Sequence, residues 1–182
     1  MTLRIYGNRP LKTLDGIETR PTSGKVRQAV FNIWQGRINN SRWLDLCAGV
    51  GAMGAEALCR GAKEAIALEL SAEACGVIRE NWQKVISPEQ RFQVLQGDVI
   101  KLLPRLQKYE KFDFIYFDPP YVSELYLPVL EAIAQYQLLT PEGELAVEHN
   151  AHLKALAGIE CLQVCRQKSY GKTALTFYQP IT

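Results

Sequence analysis

Histidine is nearly absent. The 182 residues hold only His149 and His152, which leaves little for a histidine-based metal site. The five cysteines, Cys47, Cys59, Cys75, Cys161 and Cys165, are odd in number and form no C-x-x-C pair. A disulfide framework and a zinc site are both poor fits, and small thiols in a reducing cytosol are the ordinary reading. No apolar run approaches the roughly 18 residues of a membrane span. Residues 1–15 contain no apolar signal-peptide core, so the expectation is a cytoplasmic protein with no membrane partner. Internal repeats and low-complexity linkers are missing as well. With 47% hydrophobic residues the chain is too apolar for disorder. Its length suits one domain, or one domain with a small appendage.

Charge is present but uneven. Residues 1–40 carry seven Lys/Arg against Asp15 and Glu18, a net of +5. The remainder holds 14 Lys/Arg and 17 Asp/Glu and carries −3. A basic arm on a mildly acidic body is a nucleic-acid footprint or an ordinary solvated surface. A second cluster, Arg166, Lys168, Tyr170 and Lys172, interleaves an aromatic with cations, as phosphate contact plus base stacking requires.

Apolar strands alternate with amphipathic helices, which predicts an α/β fold with a mostly parallel sheet. Leu3–Tyr6 and Leu11–Leu14 suggest a hairpin around Gly7-Asn8. Thr22 or Ser23 is positioned to cap a helix bearing Val26, Val30, Ile33 and Trp34. Strands are expected at 43–46, 65–70, 92–95, 112–117 and 144–147. Helices are expected between them, one marked by Leu127, Leu130 and Ile133. Thr140–Gly143 reads as a turn. The segments 161–165 and 174–178 lie too close for a helical crossover and should pair antiparallel. Residues 1–40 therefore form a basic N-terminal extension packed on a core of 41–182.

Gly49-Val50-Gly51-Ala52-Met53-Gly54 matches G-x-G-x-x-G between a strand and a helix. Glycines let the backbone turn tightly and approach a ligand. Glu69, 20 residues after Gly49, ends the second strand, where an acid accepts hydrogen bonds from ribose hydroxyls. This pair fits NAD, FAD or S-adenosylmethionine. Asp45 ends the first strand; an acid there repels a pyrophosphate but suits the amino and sulfonium charges of S-adenosylmethionine. Asp98 follows the third strand, where it can accept the adenine amine.

Asp118-Pro119-Pro120-Tyr121 follows the strand at 112–117. The prolines stiffen the exit, and an aspartate and a proline carbonyl are both acceptors. Together they can hold the two hydrogens of an exocyclic amine while Tyr121 stacks on the base. The amine lone pair is delocalised into the ring. Acceptors that draw the nitrogen toward a tetrahedral arrangement free it for in-line attack, so positioning and electrostatics suffice without a metal. A rigid turn after a central strand is the plainer reading of the tetrapeptide alone.

The chain resembles the bacterial RsmD-like 16S rRNA guanine-N2 methyltransferases. The likeness runs through Arg20-Pro21-Thr22 and the helix after it, 44–51, 56–62, 112–121 and 170–175. It implies a seven-stranded Rossmann-like class I methyltransferase sheet with an antiparallel C-terminal strand. It implies S-adenosylmethionine held by Asp45, Gly49, Gly51, Glu69 and Asp98, and a guanine held by Asp118, Pro119 and Tyr121. It further implies Thr22 and Arg20 bordering the donor or the base. The substrate expected is 16S rRNA in the small ribosomal subunit, met by a monomer, with phosphates contacted by Arg9, Lys12, Lys25, Arg27, Lys168 and Lys172. Other readings are an adenine-N6 methyltransferase, a nicotinamide-dependent dehydrogenase and a non-catalytic RNA-binding factor.

Overall fold

The computed structural model describes residues 3–14, 24–152 and 159–181. Thr22, Ser23 and Arg20 therefore lie outside the described residues. The chain opens with β1 (Leu3–Ile5) and β2 (Arg9–Leu11), an antiparallel pair joined by a 3-10 turn over Tyr6–Asn8. Gly7 takes φ +70 and Asn8 φ +60 in that turn. Helix α1 (Gly24–Ile33) follows. The alternating part is β3 (Arg42–Leu46), α2 (Ala52–Cys59), β4 (Glu64–Glu69), α3 (Ala72–Val85), β5 (Arg91–Gln96) and α4 (Val99–Leu102). A 3-10 helix, Leu103–Lys108, extends α4, and β6 (Phe112–Phe117) and α5 (Tyr126–Gln135) follow. The chain finishes with β7 (Leu139–Asn150), β8 (Leu162–Tyr170) and β9 (Thr173–Pro180).

One seven-stranded sheet has the order β5-β4-β3-β6-β7-β9-β8. Strands β5, β4, β3, β6 and β7 run parallel to one another, while β9 lies antiparallel between β7 and β8. The central strands are nearly continuous apolar runs because helices cover both faces. On one face Trp43, Ala65, Ala67, Phe114 and Tyr116 meet α1, α2 and α3. On the other, Leu44, Leu46, Ile66, Leu68 and Phe117 meet α4 and α5. Ile5, Leu11, Val26, Val30, Phe31 and Trp34 belong to the first of these cores. The N-terminal residues thus share the core of the sheet.

Ser71 caps α3 as its side chain allows, accepting from Ala74 N at 3.2 Å. Two expectations shift. The stripe of α5 is Tyr126, Val129, Leu130 and Ile133, whereas Leu127 is 53% exposed. Thr140–Gly143 is not a separate turn. It is drawn into β7, and the pairing with β6 shifts register between Phe112 and Phe114. Gly143 permits this, because a Cβ there would lie 2.9 Å from the Phe112 carbonyl.

Candidate active site

Parallel pairing brings the carboxyl ends of the central strands level. Leu46 of β3 stands opposite Leu68 of β4 and Phe117 of β6, and Glu69 opposite Gln96 of β5. The chain leaves each strand laced to its neighbour: Ala48 N donates to Leu68 O at 3.2 Å and Gly97 N to Glu69 O at 2.9 Å. This gathers Asp45, Glu69, Asp98 and Asp118 around Cys47. The Cys47 thiol is pushed up to about 12, first by burial, then by Glu69, Asp118, Asp45 and Asp98. Four acids at the carboxyl ends of four adjacent strands thus converge on one place. It lies where open α/β sheets bind ligands. Cys47 itself adopts φ +58, an uncommon conformation for a residue with a Cβ.

The three loop glycines play different parts. Gly49 has φ +56, and a Cβ there would meet no protein atom within 4 Å. Its N–H donates to Glu69 Oε2 at 2.8 Å, while Glu69 Oε1 accepts from Ser71 N at 2.9 Å. Gly51 and Gly54 instead face inward. A Cβ on Gly51 would fall 2.7 Å from Trp82 Nε1, and one on Gly54 would fall 2.2 Å from Trp82 Cζ2. Trp82 also donates to Gly51 O at 2.7 Å. The side of Gly51 where a Cβ would stand is thus filled by Trp82, which shapes the loop from within.

Asp45 is likewise drawn inward. It is 2% exposed, and its Oδ2 accepts from Gly54 N at 3.0 Å beneath the first turn of α2. Burial pushes its carboxyl up to about 8, opposed by the Gly54 N–H and reinforced by Glu69. The unfolded chain ionises in the ordinary carboxylate range, whereas the folded one keeps the proton until about pH 8. The unfolded state therefore binds fewer protons over that window, and stability falls as pH rises through it. Asp45→Asn should remove this loss. Its advantage in unfolding free energy over the parent should grow between pH 5 and pH 8.5 by an amount on the order of a few kcal/mol. Denaturant unfolding at the two pH values checks this; an advantage that does not change with pH contradicts it.

Asp98 is exposed at the end of β5 and caps α4, accepting from Lys101 N at 3.1 Å. Glu69 spends one lone pair per oxygen on the backbone and keeps the others. With the open side of Gly49 between them, these two acids fit the ribose and adenine of S-adenosylmethionine. Asp45, which keeps its proton until about pH 8, holds the loop from beneath through Gly54 N.

Asp118 N lies 3.4 Å from Leu46 O, which seats the Asp118-Pro119-Pro120-Tyr121 segment against the start of the glycine loop. Asp118 is half-buried, Pro119 buried and Pro120 exposed. The Tyr121 hydroxyl reaches Thr173 Oγ1 at 2.8 Å and donates to Glu148 Oε1 at 3.2 Å. Tyr116 donates to Glu148 Oε2. Sequence reasoning missed Glu148, Thr173 and Tyr116. The available signal was Glu148 itself, a carboxylate ending the apolar run Leu145-Ala146-Val147 and only 2% exposed.

The cations expected to meet phosphate divide. Lys168 and Lys172 are exposed on the β8–β9 hairpin, the unit that also carries Thr173 to Tyr121. Lys25 is exposed at the start of α1. Arg9 is exposed but donates to Val85 O at 3.4 Å, at the far end of α3. Lys12 pairs with Glu80 at 2.9 Å. Arg27 must be corrected: it is 7% exposed, pairs with Glu56 at 2.6 Å and donates to Arg4 O. A guanidinium enclosed in this way has no face left for RNA.

The strand order, the antiparallel β9 and the acids at the carboxyl ends define a Rossmann-like class I methyltransferase fold. Within that class the chain belongs to the family described as Conserved hypothetical protein 95, which matches residues 3–179, the RsmD-like methyltransferases. It is 32% identical over 172 residues to the "Putative rRNA methyltransferase YlbH" of Bacillus subtilis, covering 94% of this chain and 93% of that one. It is 27% identical over 175 residues to "Ribosomal RNA small subunit methyltransferase D" of Haemophilus influenzae, covering 96% and 90%. Among solved structures, the "Putative methyltransferase yhhF" of Escherichia coli superposes with a TM-score of 0.85. It is 26% identical, with 99% and 98% coverage. Among the described residues no helix is long and apolar enough to cross a membrane, and no group of three or more His, Cys, Asp or Glu is placed to hold a metal.

Proposed function

We propose that the protein methylates the exocyclic N2 amine of a guanine in 16S rRNA, within an assembled or partly assembled small ribosomal subunit in the cytoplasm. The observation that carries this is the placement of Asp118-Pro119-Pro120-Tyr121 against the glycine loop, inside one ring of carboxylates. Relatives named for ribosomal RNA methylation support the RNA substrate.

Glu69 and Asp98 hold the sugar and base of S-adenosylmethionine, with Gly49 leaving the approach open. That donor supplies an electrophilic methyl group with a good leaving group already attached. Asp118 and the Pro119 carbonyl accept the two amine hydrogens and hold the nitrogen so that its lone pair faces the methyl carbon. One proton must leave the nitrogen, and the Asp118 carboxylate is the acceptor in contact with it. Tyr121, fixed at its hydroxyl by Glu148 and Thr173, offers its ring to the base. The guanine amine is hidden in a duplex, so the enzyme takes an exposed or flipped base.

The test is incubation with methyl-labelled S-adenosylmethionine and undermethylated small subunits, beside bare 16S rRNA and duplex DNA, followed by digestion to nucleosides. Label in 2-methylguanosine from the subunits is expected. Label in 6-methyladenine from DNA would replace the substrate assignment. No label, with the donor bound, would move the assignment to another RNA or to a non-catalytic factor. Reversing Lys168 and Lys172 to glutamate should raise KM for subunits about tenfold and lower the salt slope of binding by about 2. An unchanged slope would move the RNA path elsewhere.

A further inference from the structure

Glu148 is a carboxylate set in the interior of the sheet. It follows Leu145-Ala146-Val147 on β7 and is 2% exposed. Side chains alternate between the faces of a strand, so Glu148 shares the face of Ala146, beside Tyr116 on β6 and Leu175 on β9. All three of those neighbours belong to the first core, where an aliphatic side chain would suit the position better. A carboxylate is kept in such a place only when its oxygens are matched. Here two phenols match them. Tyr116, 1% exposed, donates to Oε2, and Tyr121 donates to Oε1 at 3.2 Å.

The two tyrosines stand differently. Tyr116 is interior and steadies the carboxylate from one side. Tyr121 is half-buried between exposed Pro120 and the 98% exposed Val122, so part of it is open to an incoming group. Its backbone is set by a turn in which Ser123 N donates to Pro120 O at 2.9 Å. Its hydroxyl, at the far end of the ring, meets Glu148 and also Thr173 Oγ1 at 2.8 Å. Thr173 is 2% exposed and opens β9 in register with Asn150, two residues beyond Glu148. The long axis of the ring is thus held at both ends, by the exit from β6 at one and by β7 and β9 at the other.

We propose that Glu148 is a positioning residue that acts through Tyr121, setting the ring as a fixed platform for the target base before RNA arrives. This rests on the guanine reading above, in which that ring stacks on the base. A ring already held gives up little freedom when a base docks on it. A base laid on a fixed ring keeps its amine in line with the methyl group. With its hydroxyl engaged on the protein side, Tyr121 meets the base by its ring, and the choice between bases is left to Asp118 and the Pro119 carbonyl. Phenylalanine would stack equally well but would lack the tether.

The experiment is a double-mutant cycle on Tyr121→Phe and Glu148→Gln. The readout is the single-turnover methylation rate on undermethylated small subunits at saturating S-adenosylmethionine. Each single variant should lose about tenfold in rate, and the double variant no more than about twofold beyond either. Subunit affinity should change less than about threefold, because phosphate contacts carry most of it. S-adenosylhomocysteine affinity should stay within about twofold of the parent. A double variant slowed about a hundredfold, the product of the single losses, would mean independent action and overturn the proposal. Tyr121→Phe at the parent rate would overturn it too, since the tether would then do nothing. So would a loss of S-adenosylhomocysteine affinity equal to the loss in rate, which would place the effect on the donor. If Glu148→Gln does not fold, Thr173→Val takes its place in the cycle, because it removes the other partner of the hydroxyl and leaves the carboxylate. Its loss should likewise vanish in the Tyr121→Phe background, and a loss that persists there overturns the proposal. A parent protein that leaves the subunits unlabelled would sink the guanine reading, and this inference with it. An active parent beside a fully active Tyr121→Phe sinks this inference alone.

Discussion

Asp118→Ala is expected to lower kcat by about 10²–10³-fold while S-adenosylhomocysteine binding stays within twofold of the parent. In the proposed reaction Asp118 meets the amine from the end of β6, whereas Glu69, Asp98 and Gly49 form the donor side from β4, β5 and the glycine loop. Removing one preorganised acceptor leaves the donor contacts in place and takes away the group that holds the nitrogen and receives its proton. Asp118→Asn keeps one acceptor oxygen but loses the charge, so it should fall between alanine and the parent. Single-turnover methylation with preformed protein–donor complex isolates the step. A drop in donor affinity that matches the drop in rate would place Asp118 on the donor side and defeat the assignment.

Gly54→Ala should destabilise the protein by about 3 kcal/mol, lowering Tm by roughly 6–12 °C. The new methyl would fall 2.2 Å from Trp82 Cζ2 and 2.8 Å from Trp82 Cη2. Trp82 has no ready escape. It is fully buried, its Nε1 is bonded to Gly51 O, and its other side meets Phe92 edge-on at 5.7 Å. Gly49→Ala is the informative contrast. Its methyl would meet no protein atom, so stability should fall only by the roughly 1–2 kcal/mol of a left-handed alanine, while donor binding is lost. Thermal melts and donor titrations on the two variants separate packing from binding. A second variant, Trp82→Phe, should lose less in the Gly54→Ala background than alone. Additive losses would contradict the contact.

The glycine loop, the acids at the strand ends and Asp118-Pro119-Pro120-Tyr121 were legible because each sits at a fixed offset from an apolar run. What the motif could not say is which glycine is packed from within. That depends on Trp82, 28 positions beyond Gly54 and placed by the packing of α3 on α2. Arg27 misled for a related reason. Composition counts it as a surface cation, yet Arg27, Val30, Phe31 and Trp34 fall on one helical stripe, and the i, i+3, i+4, i+7 spacing marks it as inward. Its partner Glu56 is on another helix, so the neutralising contact was invisible locally. The Glu148 network was hidden more deeply. It needs β7 beside β6 for Tyr116 and β9 beside β7 for Thr173, and neither neighbour follows from local pattern.

The position of β9 has a consequence for the order of assembly. Its residues come after those of β8, yet it lies between β7 and β8, so β8 has no place on the sheet until β9 has inserted. The pairing of β5, β4, β3, β6 and β7 needs nothing from 173–180, and those five strands alone bring Asp45, Glu69, Asp98 and Asp118 to one end of the sheet. Thr173 against Tyr121 and the two lysines of the hairpin come only with β9 and β8. The acid cluster is thus built by the parallel part of the sheet, while the anchor of Tyr121 hangs on one antiparallel strand.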